Sequence, residues 1–304
     1  AGAAGFSCSG YSDAAGNAGA TDTDANSGSV IIDYTLPTVS SIAVTGVTSG
    51  QYGNSGTYSV VITASEALSG EPTLTLAGGS VGSGTGSSSD TVWTFTFTPT
   101  DADESVTIDV DTGDITDPAG NSNTATPTTF TFTHDATAPT LSNIVMSSNG
   151  NTGYAKSGQK VSLAITASEV VTGLTCTIDG ESATMGGSGT DWTAELTISG
   201  DETAGAAAFS CGSYTDAAGN AGATDETANS GSVIIDYTAP TLSNIAMTTS
   251  GNAGYAKSGD TISLDIDASE TVTGLTCTID GESATMSGSG TDWGAALTIS
   301  GDET

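Results

Sequence analysis

Positive charge is almost missing from this chain: three Lys and Arg stand against 35 Asp and Glu, for a formal net charge of −32. That excludes the basic patch that nucleic-acid binding needs, and it argues against docking on anionic lipid. Long apolar runs are also missing, and none approaches the roughly 18 residues that span a bilayer as a helix. No membrane insertion is expected. Histidine occurs once, as His134, beside Asp135. The equivalent position in the repeats described below is Ile32 or Ile235, so His134 does not recur as a catalytic group would. It is expected to be a strand residue facing solvent. No nucleophile elbow, phosphate loop or zinc motif is present. No enzyme, and no catalytic residue, is expected. The chain opens on Ala1 without a signal-peptide pattern, which fits a mature piece of a longer secreted product.

What the chain has is repetition. Asp13-Ala14-Ala15-Gly16-Asn17 returns as Asp117-Pro118-Ala119-Gly120-Asn121 and as Asp216-Ala217-Ala218-Gly219-Asn220. Trp93, Trp192 and Trp293 recur once per copy, at a period of about 101 residues. That period is the size of a sandwich domain, not of a short solenoid repeat. Residues 37–138 and 139–239 are whole copies; 240–304 is the first part of a third, and 1–36 matches the last part of a copy. The final Gly301-Asp302-Glu303-Thr304 matches Gly200-Asp201-Glu202-Thr203, and the residue after Thr203 is Ala204, the counterpart of Ala1. Two readings stay open. Either this is one translational unit of a longer repetitive polypeptide, or separate chains join head to tail by strand complementation. In both, residues 1–36 of the next unit complete 240–304, and the partner is a neighbouring copy.

Each copy alternates with period two. In 139–239 the runs are Ile144 and Met146; Val161, Leu163, Ile165 and Ala167; Leu174, Cys176 and Ile178; Trp192, Ala194, Leu196 and Ile198; Ala207, Phe209 and Cys211; then Val233, Ile235 and Tyr237. Such alternation gives each strand one buried and one wet face. The runs are short, Thr-rich and broken by Gly, Ser, Asp and Asn, with no helix of useful length. The expected fold is all-β, a tandem of seven-stranded Ig-like antiparallel β-sandwiches. The tryptophans are expected in the cores. Tyr52, Tyr154 and Tyr255 lie in turns and could pack on a neighbouring domain.

Cys176 and Cys211 share the inward phase of their strands, and in copy 37–138 the matching places hold Leu74 and Val110. A Cys176–Cys211 disulfide is expected, and with it an oxidising location. Cys277 and Cys8 are the corresponding pair of the divided copy.

The acids converge. In Ig topology the end of the second strand, the loop between the last two strands and the incoming linker meet at one pole. For copy 37–138 these places carry Asp33, Glu66, Asp117 and Asn121; for 139–239, Asp135, Glu169, Asp216 and Asn220. For the third they carry Asp236 and Glu270, completed by Asp13 and Asn17 of the following copy. Hard oxygen ligands from three separate elements suit Ca2+ better than Mg2+, which tolerates fewer protein ligands. The bland alternative is a plain Asp/Asn turn at each Asp-x-x-Gly-Asn.

The runs Ala-Ser-Glu-Val-Val-Thr-Gly at 167–173, Gly-Ser-Gly-Thr-Asp-Trp at 187–192, Asp216 to Asn220 and Asp236-Tyr-Thr-Ala-Pro240 resemble the tandem bacterial Ig-like domains of very large surface proteins and adhesins. The resemblance implies an extracellular stalk, filament or fibre, with calcium at domain joints in several related classes. Copy 37–138 departs from the pattern through Pro118, Ser88 to Val92 and its lack of cysteine. The alternative is a carbohydrate- or receptor-binding adhesin module, for which Gly78 to Asp90 is the candidate loop.

Overall fold

The computed structural model describes residues 2–25, 27–125, 128–151 and 153–301. The matching of Thr304 to the segment before Ala1 lies outside the described residues. The chain divides into two compact units, residues 1–234 and 235–304. All the regular structure described is β.

In the first unit, copy 37–138 forms two four-stranded sheets. One has the order Val39–Val44, Tyr58–Ala64, Val92–Pro99, Gly79–Val81, antiparallel throughout. The other has the order Tyr52–Gly53, Thr128–Asp135, Asp103–Val110, Thr75–Ala77. Only Tyr52–Gly53 runs parallel to its neighbour; the other pairs are antiparallel. That makes eight strands, because a short break at Thr45–Gln51 carries the chain from the first sheet to the second. Alternation is strict on Tyr58–Ala64, where every second residue is buried. Val60, Ile62, Trp93, Phe95 and Phe97 of one sheet form one core with Val106, Ile108, Val110, Phe130 and Phe132 of the other. Each such side chain contributes about 1.5–3 kcal/mol by leaving water.

Copy 139–239 repeats the first sheet as Leu141–Ser148, Lys160–Val171 and Thr184–Thr197. Its second layer is split. One three-stranded piece joins Tyr154–Ala155, Ile234–Ile235 and Gly205–Ala206, and another joins Glu181–Ser182, Thr175–Ile178 and Phe209–Gly212. Cys176 and Cys211 face each other across the last pair and form a disulfide, S–S 2.03 Å. The bond thus ties neighbouring strands of one sheet.

The second unit holds the sheet Leu242–Thr249, Thr261–Val272, Thr285–Thr298 and the hairpin Thr278–Ile279 with Glu282–Ser283.

Three expectations need correction. His134 is buried, not solvent-facing: it continues the inward row of Phe130 and Phe132, and its Nδ1 lies 2.8 Å from the Tyr58 hydroxyl. The Tyr58 ring meets it edge-on, and Gly53 O is a second polar neighbour at 3.2 Å. Only Trp93 is a core residue; Trp192 and Trp293 are half-buried and donate Nε1–H to Gly189 O and Gly290 O, both at 3.0 Å. Tyr52, Tyr154 and Tyr255 are exposed.

Candidate metal centre

The site begins with a serine staple that the triplet Ala-Ser-Glu encodes. Ser65 N–H donates to Thr38 O and Thr38 N–H donates to Ser65 Oγ, at 2.8 and 3.0 Å. Ser168 with Thr140 repeats this at 2.8 and 2.9 Å, as does Ser269 with Thr241. Each staple fixes the end of the linker beside the strand end, so the next residue, Glu66, Glu169 or Glu270, leaves the strand at a fixed place. In copy 139–239 that place is a register shift between Thr166 and Val171, the kind of irregularity that re-aims a side chain.

The linker acids make short turns of their own. Asp33, Asp135 and Asp236 accept from the N–H of Thr35, Thr137 and Thr238 at 3.0, 3.2 and 2.9 Å. The loop acids are held by their own asparagines. Asp117 accepts from Asn121 N–H and Asn121 Nδ2, both at 2.8 Å; Asp216 accepts from Asn220 at 2.9 and 2.8 Å. Gly120 and Gly219 each take φ of 92°, which side chains avoid. The same asparagine amides reach the linker, donating to Asp33 O at 3.2 Å and to Asp135 O at 2.9 Å. Asn121 and Asn220 are therefore latches between loop and linker through their Nδ2 groups.

Among the described residues two groups of acids come together: Asp33, Glu66 and Asp117, and Asp135, Glu169 and Asp216. Within each group one oxygen per carboxylate lies within 4.8 Å of the others. Asp117 and Asp216 are buried. Glu66 Oε1 is a buried atom with no hydrogen-bond partner. Burial, and then Asp33 and Asp117 beside it, push the Glu66 carboxyl above its ordinary range. Burial, followed by Asp135, Asp216 and Asp103, does the same to Glu169. Asp135 is raised mainly by burial, with Asp216 adding repulsion against the Thr137 hydrogen bond. Burial also acts to raise Asp117, but the Asn121 amide and the backbone donors of the loop bring it below the usual value. Asp236 and Glu270 lie in the second unit and Asp13 and Asn17 in the first. Asn17 Nδ2 donates to Asp13 Oδ2 at 2.8 Å, so that loop keeps its form.

Sequence reasoning missed two contributors, both set between copies. Asp103 accepts from Thr137 Oγ1 at 2.7 Å and from Ala136 N–H at 3.3 Å, pinning the linker to the preceding copy. Asn54 donates to Asn220 Oδ1 at 3.2 Å across the joint. Neither has a counterpart motif that repetition would reveal. The candidate binding loop, Gly78 to Asp90, is not an open loop. Gly79–Val81 is a strand of the first sheet, and Thr85 bridges Thr94. A Cβ on Gly84 or Gly86 would run into the Phe95 or Trp93 ring, so these glycines let the segment cover the core.

A cluster of three carboxylates with one unpartnered buried oxygen is an all-oxygen donor set that fits a hard divalent cation. The class of protein is a tandem of all-β, Ig-like modules with acid-lined joints. Residues 33–134 match the family model described as "Bacterial Ig-like domain". The match starts on the linker acid Asp33. A solved structure titled "Crystal structure of I9-I11 tandem from titin" is similar over 85% of this chain and 89% of that one, at 7% identity and a TM-score of 0.28. No curated protein matches the chain. Among the described residues no helix is long and apolar enough to cross a membrane. The bacterial Ig-like domain and the Cys176–Cys211 disulfide together support an extracellular or cell-surface location. The all-β Ig-like architecture supports a structural, non-enzymatic role.

Proposed function

We propose that this chain is a section of an extracellular stalk or filament whose seven- to eight-stranded sandwiches follow one another head to tail, and whose joints are stiffened by Ca2+. The observation that carries this reading is the meeting of linker, strand-end and loop carboxylates at each of two successive joints. Unscreened, three carboxylates so close repel one another. A cation would reverse the sign of that interaction and clamp the linker, while the sandwiches keep their own cores. Asp33, Glu66 and Asp117 would hold one ion; Asp135, Glu169 and Asp216 would hold the next. Repetition suits reach and mechanical length better than the refinement of one recognition site. The test is calorimetric titration of calcium into the EDTA-stripped chain, with small-angle scattering to follow its length. Heat of binding and a narrowed length distribution are expected, with Ca–O distances near 2.3–2.6 Å in a calcium-bound crystal. No heat and an unchanged length would defeat the calcium-stiffened stalk.

A further inference from the structure

A buried polar pair in copy 37–138 stands where copy 139–239 is apolar. Tyr58 and His134 are each 3% exposed; Val161 and Ile235, at the corresponding places, are buried too. The Tyr58 ring packs edge-on against Phe132 and His134, with centroids 4.9 and 5.8 Å apart. Burying a hydroxyl and an imidazole is costly unless each finds a partner, whereas an apolar pair fills such a space with no such requirement. Core stability alone therefore does not account for the polar pair. Its further partners lie on one short segment, residues 53–55. His134 Nδ1, besides its 2.8 Å contact with the Tyr58 hydroxyl, lies 3.2 Å from Gly53 O. The Tyr58 hydroxyl accepts from Ser55 N–H at 3.0 Å.

Between those two anchors stands Asn54, whose exposed side chain crosses to the next copy and donates Nδ2–H to Asn220 Oδ1 at 3.2 Å. With Oδ1 so engaged, the Asn220 amide keeps Nδ2 on Asp216 Oδ2 and Asp135 O, at 2.8 and 2.9 Å. Gly53 belongs to the same device. A Cβ there would come within 2.6 Å of Val47 Cγ2 and 2.9 Å of the Tyr58 hydroxyl. In copy 139–239 that place is Ala155, and the tyrosine is absent. Four positions thus change together: Gly53, Asn54, Tyr58 and His134 against Ala155, Lys156, Val161 and Ile235. The corresponding turn of copy 139–239 is closed by its own residues. Lys156 N–H donates to Gln159 Oε1 and Gln159 N–H donates to Lys156 O, both at 2.9 Å. In copy 37–138 the core holds the turn instead.

We propose that Tyr58 and His134 are positioning residues of the joint: from inside the core they fasten residues 53–55 and aim Asn54 at Asn220 of the following copy. The inference rests on the structural-array reading and adds to the joint a contact that needs no calcium. The pair anchors the segment on both sides of Asn54, so the backbone there cannot swing away without breaking a buried bond. Such a break leaves a buried donor or acceptor unsatisfied, which costs more than the bond contributes net. The Asn54–Asn220 bond is weak by itself, because water competes for both amides. A donor already held in place loses less freedom on making it than a mobile one.

The experiment is pulsed electron–electron double resonance in EDTA on the whole chain carrying Cys8→Ser and Cys277→Ser. Nitroxides are placed at Thr96→Cys in one copy and Thr193→Cys in the next, both at exposed positions. The readout is the ratio of the narrow, joined distance to the broad remainder, with both copies folded. Asn54→Ala, on the surface, should lower that ratio about two- to tenfold, the net worth of one hydrogen bond. Tyr58→Phe, which keeps the ring, and His134→Ile, which takes the residue of the sister copy, should each lower it as well. Tyr58→Phe should also speed exchange of the Ser55 amide. On the Asn54→Ala background neither change should lower the ratio further, because a positioning residue acts through the side chain it positions. An unchanged ratio in Asn54→Ala would overturn the proposal. So would a Tyr58→Phe or His134→Ile effect of the same factor on both backgrounds, which marks a general loosening of copy 37–138. Calcium is absent throughout, so a failed calcium titration and a failed Asn54 contact are separate results.

Discussion

Breaking the Cys176–Cys211 bond should destabilise one copy and leave the other untouched. The two cysteines are 35 residues apart in sequence. The chain-entropy relation for a loop of that size gives a loss of about 4 kcal/mol at 25 °C. Packing adds little to this figure if the thiols stay in place, because both residues are buried among apolar neighbours. For a domain of this size a loss of that order lowers the midpoint by roughly 15–30 °C. The copy 37–138 is a built-in control, since Leu74 and Val110 occupy the corresponding places. The assay is amide hydrogen exchange read by segment, on the chain with Cys8→Ser and Cys277→Ser so that one disulfide is in play. After reduction, protection in Lys160–Val171 should fall by the full amount while Tyr58–Ala64 keeps its own. The double change Cys176→Leu with Cys211→Val should behave like the reduced protein or slightly better. An equal loss in both copies, or no loss in the second, would refute the reasoning.

Asp135→Asn should weaken calcium binding at one joint and leave the Asp33 joint intact, which calorimetry resolves as the loss of one class of site. Glu169 has its pKa raised in the folded chain, so its favourable contribution is present below the unfolded value and is lost as pH rises through the folded one. Without calcium, acidification from neutrality towards about pH 5 should therefore tighten that joint, whereas calcium affinity should fall over the same range. Scattering and calorimetry across pH check both signs, and the same trend in both would contradict the assignment. Asp117 is lowered, so its contribution is present above the unfolded value and is lost as pH falls through the folded one. Tyr58→Phe removes the hydroxyl that meets His134 Nδ1 and accepts from Ser55 N–H, and should cost about 1–3 kcal/mol in denaturant unfolding of copy 37–138. Asn220→Ala removes the amide that joins Asp216, Asp135 and Asn54, and should broaden the scattering length distribution without lowering the melting point of either sandwich.

Strand phase was legible because alternation is a local signal: Tyr58–Ala64 buries every second residue, as its pattern states. The Cys176–Cys211 bond was legible for the same reason, with an apolar pair in the sister copy as a check. His134 shows where comparison between copies misleads. Its counterpart Ile235 is buried, and the row Phe130, Phe132, His134 pointed inward. The polarity of the ring argued for solvent, because the partner that satisfies it, Tyr58, lies 76 residues away. Trp192 misled in the opposite way. In copy 37–138 the glycine segment Gly84 to Gly86 lies on Phe95 and Trp93. In copy 139–239 the corresponding stretch continues as part of the strand Thr184–Thr197, and Trp192 is left half-covered. At the joints, repetition revealed every residue that each copy carries for itself. It could not reveal Asp103 and Asn54, which act on the next copy along.

The position of the disulfide bears on how such a period can be divided. In copy 139–239 the first part, up to residue 203, holds the sheet of Leu141–Ser148, Lys160–Val171 and Thr184–Thr197, together with the strand Thr175–Ile178. The last part is attached to it through short pairings: Thr175–Ile178 with Phe209–Gly212, Tyr154–Ala155 with Ile234–Ile235, the Thr172 and Thr215 bridge, and single bonds such as Met146 N–H to Ser230 O at 3.0 Å. The cysteine bond spans this seam. Copy 37–138, which lacks cysteines, joins the same two parts by pairings of similar extent, Asp103–Val110 with Thr75–Ala77 and Thr128–Asp135 with Tyr52–Gly53, above a core rich in aromatic rings. With similar backbone pairing across the seam, one copy adds the covalent Cys176–Cys211 staple and the other adds a core of aromatic rings, Tyr58, Phe95, Phe97, Phe130 and Phe132.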